Sequence, residues 1–547
     1  KFGGTSVASA QRWHTILELL EQRQQAGARV LVVHSALAGV SNLLHRALAE
    51  AIAGDGAGQR DAIIRQHIQL AEDLGVDGDA LLAQAFEELD RLLAGIRLVR
   101  EVSPRVQARV MALGELMATR LGAVFLQAQG LEVSWVDARE LLVSRDEPHD
   151  NERSRYLSAS CDFEPDPELN ERLSKLPGIV LTQGFIASTV HGEGVLLGRG
   201  GSDTSAAYFA ARLQAVELEI WTDVPGLFSA DPRVVPGARQ LKALSYAEAQ
   251  EIASTGGSVL HPRSIRPVHR YGIPLHVLSS AEPDRAGTRV SMEPGSDTPH
   301  MTALSSRGGI TVVSMETVGM WREAGFLAEA FRCFNELGLS VDLVSTAESN
   351  VTVTLDTHAQ EIDADQIERL QALLARLCRV RIIEDAEVVS LVGHKIRAML
   401  HEIGPALQAF EEHRIHLVSQ AANDLNLSFV VEHGQAHRLV QQLHETLVRP
   451  GPDDPVFGPT WEELQRGPVE AAPAVAPWWQ RKRDRLLDIA KQSPSAYVYD
   501  LESVRAACAR LTALQNVDRV FFAMKANSNP EVLRTIGEAG LNFECVS

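Results

Sequence analysis

Short, unbroken apolar runs alternate with longer segments of helical periodicity between residues 1 and 291. The run at Ala28–Ser35 is rich in β-branched residues, which is typical of a strand buried on both faces of a parallel sheet. Ahead of it, an amphipathic helix is predicted by apolar residues at Trp13, Ile16, Leu17 and Leu20. Further strands are predicted at Leu131–Val136, Gly178–Ile186, Val216–Thr222 and Pro274–Leu278. This alternation predicts an α/β sandwich with a mostly parallel sheet.

The elements shorten over residues 310–447, and one segment occurs there twice. Leu343–Ala347 reads LVSTA and Leu417–Ala421 reads LVSQA, and each copy follows an amphipathic helix. Each copy also precedes a strand of alternating pattern, at Val351–Leu355 and at Leu427–Val431. The pattern predicts a duplicated β-α-β-β unit, and because two copies are too few for a solenoid, we expect a paired small domain.

A proline-rich segment follows this repeat. Seven of the 24 prolines lie between Pro450 and Pro477 without apolar periodicity, which predicts an extended, semi-rigid linker. Beyond it, the pattern predicts a strand at Ala496–Tyr499, a helix at Val504–Leu514, a strand at Arg519–Met524, a helix from Pro530 capped by Asn529, and a strand at Leu541–Val546. The predicted domains are 1–300, 301–448 and 478–547, with the linker at 449–477. We expect truncation at both ends, because the chain opens inside a motif without Met and stops on a strand.

Composition narrows the class of protein. At 547 residues the chain is too long for one hydrophobic core, and its net charge of −19 argues against nucleic-acid or anionic-membrane partners. The cysteines are scattered without a C-x-x-C pair, which predicts free thiols in a reducing compartment, at Cys161, Cys333, Cys378, Cys508 and Cys545. Neither a signal peptide nor an uninterrupted apolar run of membrane-spanning length is evident, so we expect a cytoplasmic enzyme.

Two glycine-rich segments carry the strongest chemical signal, Lys1–Ser6 (KFGGTS) and Gly198–Asp203 (GRGGSD). Each contains one fixed cation, Lys1 or Arg199. Glycines let backbone N–H groups approach a phosphate closely, and a helix that starts just after them adds the positive end of its dipole. Neither segment fits G-x-x-x-x-G-K-[ST], so the pattern indicates phosphate binding without a P-loop.

Motifs in a fixed order resemble the aspartate kinases of the amino-acid-kinase superfamily over residues 1–447. They are KFGGTSV at 1–7, SALAGVSN at 35–42, GEL at 114–116, GFI at 184–186, LGRGGSD at 197–203, WTDVPG at 221–226, ADPR at 230–233 and VLHPR at 259–263. The resemblance implies ATP-dependent phosphorylation of the L-aspartate β-carboxylate to 4-phospho-L-aspartate, the first step of lysine, threonine and methionine synthesis. Mg²⁺ is implied by the ATP phosphates, and no protein metal site is predicted. A carboxylate nucleophile with a pKa of about 4 is already ionised, so no general base is required.

The same resemblance implies the site residues. Lys1 would bridge the phosphates and the attacking group, Asp203 would organise the cations, and Arg199 would hold a carboxylate of aspartate. The amino-acid side comprises Ser35, Ser41, Glu115, Phe185, Arg199, Gly201 and Ser202. The nucleotide side comprises Lys1, Gly3, Gly4, Ser6, Thr222, Asp223, Phe228, Asp231, Arg233 and Ser258, the last standing where the family often has lysine.

Other interpretations of these residues stay open. Taken one at a time, Ser41, Ser202 and Asp203 are better explained as helix caps and Asp231 as part of a turn, whereas taken together they favour the catalytic interpretation. A kinase for another acidic substrate, such as glutamate or a carbamate, fits the same residue types. An amino-acid-sensing pseudokinase is a third interpretation, supported by Ser258 and opposed by the retained Lys1.

The repeated unit resembles the ACT domains of aspartate kinases. Its first copy has Asp342 and Glu348 where the second has His416 and Ala422. Two carboxylates suit a cationic effector, so we expect feedback inhibition by lysine. The resemblance implies lysine contacts at Met320, Phe326, Leu327, Asp342, Thr346 and Glu348, and a homodimer formed through these domains.

A last motif lies near the end of the chain. The string AMKANSNPEVL places Lys525 at the carboxyl end of an apolar strand and resembles the start of diaminopimelate decarboxylase, in the alanine-racemase-like barrel family. The resemblance implies a Schiff base between Lys525 and pyridoxal 5′-phosphate, in a parent protein that joins the first and last steps of lysine synthesis. Because a (β/α)₈ barrel needs about 250 residues, we expect no decarboxylase activity from residues 478–547 alone.

Overall fold

The structure is a computed structural model that describes most of the chain. The residues outside its description are 55–57, 147–150, 258, 294, 317–324, 358–361, 411–413, 450, 452–453, 467–476, 494, 515–516 and 546–547, with the side chains of 402, 405, 406 and 409. Two predicted site residues, Ser258 and Met320, therefore lie outside the described residues. The chain forms two compact units, residues 1–465 and 466–547.

The first part of the larger unit is the predicted α/β sandwich. Its strands are β1 (Leu31–His34), β2 (Val133–Trp135), β3 (Ile179–Gln183), β4 (Ile186–Ser188), β5 (Gly194–Leu196), β6 (Leu218–Thr222), β7 (Arg239–Leu241), β8 (Ala243–Ser245), β9 (Leu275–Ser279) and β10 (Thr288–Ser291). Its helices are α1 (Ala10–Gln25), α2 (Val40–Ala53), α3 (Gly58–Leu74), α4 (Gly78–Val99), α5 (Pro104–Ala128), α6 (Glu152–Leu157), α7 (Pro167–Ser174), α8 (Gly201–Arg212), α9 (Tyr246–Ser254) and α10 (Pro262–Tyr271).

The first three residues form the centre of the main sheet. Phe2 bridges His34 of β1 and Trp221 of β6, in parallel with both. The sheet therefore runs β2-β3-β1, then Phe2, then β6-β9-β10-β8, and its described pairs are parallel except β9 with β10. The prediction of a mostly parallel sheet is confirmed. The carboxyl ends of its central strands open a crevice where such folds bind ligands.

Apolar helices bury both faces of this sheet. Trp13 of α1 is 1% exposed and packs so closely on α5 that a Cβ on Gly122 would lie 2.0 Å from its ring. Within the described residues, α5 alone is long and apolar enough to span a membrane, and 83% of its most apolar window is buried in the protein. It is therefore a core helix of the sandwich.

The predicted duplicated unit follows as one antiparallel sheet. Its elements are β11 (His300–Glu316), α11 (Phe326–Glu336), β12 (Val344–Thr346), β13 (Asn350–Asp356), α12 (Ala364–Leu374), β14 (Arg379–His394), α13 (Leu400–Ala406), β15 (Ile415–Gln420), β16 (Asn426–Val431) and α14 (Ala436–Leu447). The strand order is β12-β13-β11-β14-β16-β15. The paired β-α-β-β arrangement is confirmed, with the two LVS segments on the two outer strands.

The two copies share their long central strands. The second half of β11 pairs with β13 of the first copy. The first half of β11 pairs with the second half of β14, which belongs to the second copy. The single strand β11 therefore contributes to the sheets of both copies. The first copy keeps its own apolar core, around Phe334 and Leu370. Apolar residues of the second copy, including Leu391 and Leu443, belong instead to the core of the sandwich. The second copy is thus physically continuous with the sandwich.

The predicted extended linker at 449–477 is wrong for its middle part. Residues after the second copy form β17 (Phe457–Thr460) and α15 (Trp461–Gln465), and β17 pairs antiparallel with β7. Val456 and Phe457 are buried against the sandwich. Proline is tolerated on an edge strand, because only alternate backbone N–H groups point toward the neighbouring strand and proline can occupy the other positions.

The smaller unit contains α16 (Trp478–Arg481), α17 (Arg483–Gln492), α18 (Leu501–Thr512), β18 (Phe521–Ala523), α19 (Pro530–Glu538) and β19 (Asn542–Glu544). The strands β18 and β19 are parallel neighbours on either side of α19 in the chain, and Asn529 caps α19 as predicted. The predicted strand at Ala496–Tyr499 is wrong. That segment is irregular and ends at Asp500, which caps α18 and pairs with Lys482 at 2.7 Å.

Candidate active site

The two glycine-rich segments meet in the fold. The Lys1 ammonium lies 2.5 Å from a carboxylate oxygen of Asp203, and the two side chains are only 9% and 13% exposed. Asp203 stands in the first turn of α8, directly after the loop that carries Arg199. Segments about 200 residues apart in the chain therefore share one partly enclosed, charged cleft at the carboxyl end of the sheet.

The first segment is shaped by close backbone approach. Gly3 donates its N–H to Trp221 O at 3.0 Å, which ties the segment to β6. A Cβ on Gly4 would lie 2.8 Å from Ala36 O, so only glycine fits there. The hydroxyl of Ser6 is fully buried and contacts Ser280 Oγ at 2.7 Å. In this structure the hydroxyl is directed to Ser280, and the expectation that it cradles phosphate stays a prediction.

The second segment is shaped by left-handed glycines on both sides of Arg199. Gly198 has φ 74° and Gly200 has φ 63°, and a Cβ on Gly200 would lie 2.2 Å from the His261 side chain. Gly200 is the N-cap of α8 and Gly39 that of α2, so Ser202, Asp203 and Ser41 are not cap residues. The capping interpretation of these side chains is excluded, which leaves them available to the cleft.

The predicted amino-acid side contains a buried, half-partnered carboxylate. Glu115 of α5 is 3% exposed, and its Oε1 accepts a hydrogen bond from the Ala36 N–H at 3.3 Å, next to Ser35. Its Oε2 has no hydrogen-bond partner among the described residues. Burial raises the pKa of Glu115 to about 8, although the Ala36 N–H acts to lower it. A cation bound beside Glu115 would stabilise the ionised form of its carboxylate, which burial alone disfavours.

The break between β3 and β4 packs against the first turns of α8. Phe185 has φ 69°, and its N–H donates to Ser205 Oγ of α8 at 2.9 Å. A Cβ on Gly201 would lie 2.6 Å from the Phe185 ring, and a Cβ on Gly184 would lie 2.6 Å from Ser202. The strand predicted at Gly178–Ile186 is thus interrupted at the point where it packs on α8.

Four residues of the predicted nucleotide side line a cavity of 480 Å³, whereas the Lys1–Ser6 segment and Thr222 are not part of its lining. Asp223, Phe228, Asp231 and Arg233 all contribute to its wall, and Arg233 pairs with Asp231 at 2.6 Å. Thr222 ends β6 and donates its hydroxyl to Asp223 at 3.1 Å, so the cavity begins beside the Lys1 segment. The volume lies in the range of small-molecule sites.

Several contributors to these sites were missed from the sequence. The duplicated unit and the first residue of α15 also line the cavity. The residues that they contribute include Ser305, Val392, His437 and Val440 from the duplicated unit, and Trp461 from α15. His261 supports Gly200, and burial lowers its pKa, as do the charges of Arg263 and Arg199. The VLHPR motif was a signal for His261, whereas no sequence pattern pointed to the other five.

The described residues contain no group of three or more His, Cys, Asp and Glu side chains placed to hold a metal ion. Mg²⁺ keeps several waters and binds with few carboxylates plus substrate phosphates, so it needs no such cage. Asp203, beside Lys1 in the cleft, is the carboxylate that fits an ion carried by phosphates.

The predicted effector residues lie on the first ACT-like copy. Phe326 begins α11 and packs in the same apolar cluster as Val341, the neighbour of Asp342. Arg307 of β11 lies 3.5 Å from Asp342 and 3.0 Å from Asp356, and burial raises the pKa of Asp342. The other described members, Leu327, Thr346 and Glu348, are exposed.

In the smaller unit, Lys525 lies in the turn Met524–Ala526 that follows β18. This is the carboxyl end of the strand, as the sequence predicted. Among the described residues of this unit, Lys525 alone was predicted to act chemically.

A family model described as the amino acid kinase family matches residues 1–279. The chain is 35% identical to the lysine-sensitive aspartokinase 3 of Escherichia coli over 459 residues, covering 82% of this chain and 98% of that protein. It is 30% identical to the chloroplastic aspartokinase 3 of Arabidopsis thaliana, covering 81% of this chain and 80% of that protein.

Two crystal structures of E. coli aspartokinase III resemble this structure at 32% identity, each over 82% of this chain. The complex with aspartate and ADP, described as the R-state, gives a TM-score of 0.70 and is covered over 99% of its length. The complex with lysine and aspartate, described as the T-state, gives 0.59 and is covered over 98%.

Proposed function

The chain belongs to the aspartokinases of the amino acid kinase family, and on that premise we propose that it transfers the γ-phosphoryl group of ATP to the β-carboxylate of L-aspartate. The observation that carries this proposal is the 2.5 Å contact between Lys1 and Asp203, which joins the two glycine-rich segments in one cleft. The E. coli relative solved with aspartate and ADP supports the choice of substrates.

Catalysis in this cleft rests on charge and position. Lys1 supplies a positive charge where negative charge develops on the transferring group, and Asp203 fixes its ammonium. Glu115 is the partner proposed for the α-ammonium of aspartate, and Arg199 offers a planar fork for the α-carboxylate. These contacts would leave the β-carboxylate facing the nucleotide, where it attacks without a general base.

The 480 Å³ cavity is the proposed nucleotide pocket. Its phosphate end lies at Thr222 and Asp223, because β6 ends there beside the Lys1 segment. Mg²⁺ bound to the nucleotide phosphates would reduce their negative charge during transfer. The N–H of Gly3 is already donated to Trp221 O, so the backbone N–H groups proposed to contact the phosphates are those of Gly4 and of the start of α8.

A hydroxamate assay for acyl phosphate tests this proposal. With ATP, Mg²⁺ and L-aspartate, the chain should form aspartyl hydroxamate, and L-glutamate should give none. Product from glutamate but not aspartate would favour a kinase for another acidic substrate. Absence of product from both, with ADP still bound in calorimetry, would favour an amino-acid-sensing pseudokinase.

We further propose that lysine inhibits this activity by binding the first ACT-like copy. The curated E. coli relative is lysine-sensitive, and Asp342 is held here beside a cation, Arg307, that a lysine side chain would replace. Inhibition requires lysine to bind a low-activity conformation more tightly than the active one.

Replacing Asp342 by asparagine is expected to raise the lysine concentration for half-inhibition about 10-fold or more, since a charge-assisted contact contributes about 1.5–3 kcal/mol. The measurement is a lysine titration of the hydroxamate assay, scored as the ratio of inhibited to uninhibited activity. Asp365→Asn is the matched control, because that aspartate is an exposed residue of α12 in the same copy. Equal half-inhibition in Asp342→Asn and the parent chain would contradict the assignment.

A homodimer through the ACT-like sheet is also proposed. The outer strands β12 and β15 expose Val344, Ile415 and Val418, whereas solitary edge strands are usually short and charged. A second copy that covers these strands would bury their apolar side chains. Sedimentation equilibrium measures the mass in solution and should give that of two chains. A mass of 59.6 kDa, that of one chain, would contradict the dimer.

For the smaller unit we propose the beginning of a pyridoxal-phosphate barrel of the diaminopimelate decarboxylase type. Parallel β18 and β19 flank α19 in the chain, which is the repeating unit of such barrels, and Lys525 stands at a carboxyl strand end. Lys525 is the residue that would hold the cofactor, which supplies an electron sink for carbanion chemistry. Borohydride reduction after incubation of the protein with pyridoxal 5′-phosphate should leave a pyridoxyl group on Lys525. An unlabelled Lys525 peptide would refute the proposal.

A further inference from the structure

We propose that Trp461, from the segment after the ACT-like unit, forms the wall of the nucleotide pocket against which the purine base lies. This inference rests on the proposed kinase function and adds a positioning residue to it. Trp461 lines the same 480 Å³ cavity as Asp223 and Phe228, although it lies 182 residues beyond the region matched by the family model, which ends at residue 279.

The two ends of the cavity are assigned from its position beside β6 and from its aromatic lining. Asp223 marks the phosphate end, because it follows β6 where that strand adjoins the Lys1 segment. The lining also contains apolar side chains, among them Phe228, Val440 and Trp461. The rings of Phe228 and Trp461 pack edge-to-face, with centroids 5.3 Å apart at 81°. Two crossed aromatic rings beside an apolar wall offer a face on which a purine can stack.

Trp461 is held firmly enough to act as a wall. The backbone N–H of Trp461 donates to Ala238 O at 2.8 Å, and the strand just before it, β17, pairs with β7. Just after it, Arg285 donates to Leu464 O at 2.9 Å, which fixes the end of α15. The segment is thus attached to the sandwich on both sides of the tryptophan, so its ring has a defined position before nucleotide binds.

Trp461→Ala should raise the KM for ATP about 10-fold, with kcat and the KM for aspartate changed less than about 2-fold, because the base stacks equally in ground and transition states. Trp461→Phe should recover most of the affinity, since an aromatic face remains. Trp479→Ala, at an exposed tryptophan of the smaller unit, is the matched control and should keep the parental KM.

A ligand without a base separates stacking from a merely structural role. Inorganic tripolyphosphate, used as a competitor of ATP, should show the same inhibition constant with Trp461→Ala as with the parent chain. ADP binding measured by calorimetry should weaken about 10-fold in the same variant. If tripolyphosphate weakens as much as ADP, Trp461 supports the fold of the pocket and the proposal is overturned.

Further measurements separate the role proposed for Trp461 from the proposed kinase function. An unchanged KM for ATP in Trp461→Ala overturns the inference while leaving the kinase function intact. Should the chain prove inactive on aspartate, ADP calorimetry still tests Trp461 by itself. If thermal melting shows that the alanine variant does not fold, Trp461→Leu keeps an apolar side chain there, and the same ADP and tripolyphosphate comparison applies to it.

Discussion

Replacing Lys1 by methionine is expected to lower kcat for aspartate phosphorylation about 10²–10³-fold, the loss seen when one preorganised electrostatic group is removed from a transition state. Lys1 is the nearly buried cation of the cleft, and its ammonium is fixed at 2.5 Å from Asp203. Methionine keeps the length and apolar stem of the side chain but removes the charge. The measurement is steady-state hydroxamate formation, with thermal melting to establish that the variant is folded.

A double-mutant cycle with Asp203→Asn gives the sharper test. If Asp203 acts by holding the Lys1 ammonium, the losses of the two single variants should not add in the double variant. Lys175→Met is the control, because Lys175 forms an exposed pair with Glu171 at 2.7 Å on the surface of the sandwich. Full additivity, or a Lys1→Met enzyme within about 3-fold of the parent kcat, would contradict the role given to this pair.

Replacing Glu115 by glutamine is expected to raise the KM for aspartate about 10- to 100-fold, with a smaller effect on the KM for ATP. Glutamine keeps the shape of the side chain but removes the negative charge proposed to face the α-ammonium, and charge-assisted hydrogen bonds contribute about 1.5–3 kcal/mol. The matched control is Glu171→Gln, at an exposed glutamate of α7. Unchanged KM for aspartate in Glu115→Gln would place the ammonium elsewhere.

The raised pKa of Glu115 gives this prediction a pH dependence. With a pKa of about 8, the free enzyme holds the carboxyl protonated at pH 7, and an ammonium beside it would favour the ionised form. Aspartate binding should therefore release a proton, and its apparent affinity should rise as pH rises toward 8. Calorimetry at about pH 6, 7 and 8 measures this slope, which should vanish in Glu115→Gln.

The same group affects the stability of the free enzyme. Because the pKa of Glu115 is raised on folding, the folded state keeps a proton that the unfolded state releases above the ordinary pKa of 4.5. The contribution of Glu115 to the free energy of unfolding should therefore fall as pH rises from 4.5 to about 8 and stay low above it. Glutamine does not ionise, so Glu115→Gln should melt at a higher temperature than the parent chain at pH 8 without ligand, and the difference should disappear near pH 4.5.

Local patterns were sufficient for most of the secondary structure. The apolar, β-branched runs at Ala28–Ser35 and Gly178–Ile186 became β1 and β3, since such runs are stable only when both faces are covered. Asn529 before Pro530 fixed the start of α19 by cap geometry alone. The predicted strand at Ala496–Tyr499 failed because a capping side chain, Asp500, and its ion pair with Lys482 determine that region instead.

Long-range packing decided what local patterns left open. Proline content predicted an extended linker, yet its middle part is a strand because β7 offers an unpaired edge to it. The sequence placed Ser6 beside two glycines, but only the packing showed that its buried hydroxyl contacts Ser280. The sequence pattern did not predict that the first half of β11 pairs with β14 of the second ACT-like copy, because the pairing of strands depends on which strands lie side by side in the fold.

The sequence by itself determined the order of elements, the two glycine-rich segments and the kind of chemistry their cations support, because these depend on residue type and short spacing. Only the tertiary structure decided that Lys1 meets Asp203, that Glu115 keeps a buried oxygen without a partner among the described residues, and that Trp461 lines the same cavity as Asp223. Burial and distance create these properties, and both arise from contacts between residues far apart in the chain.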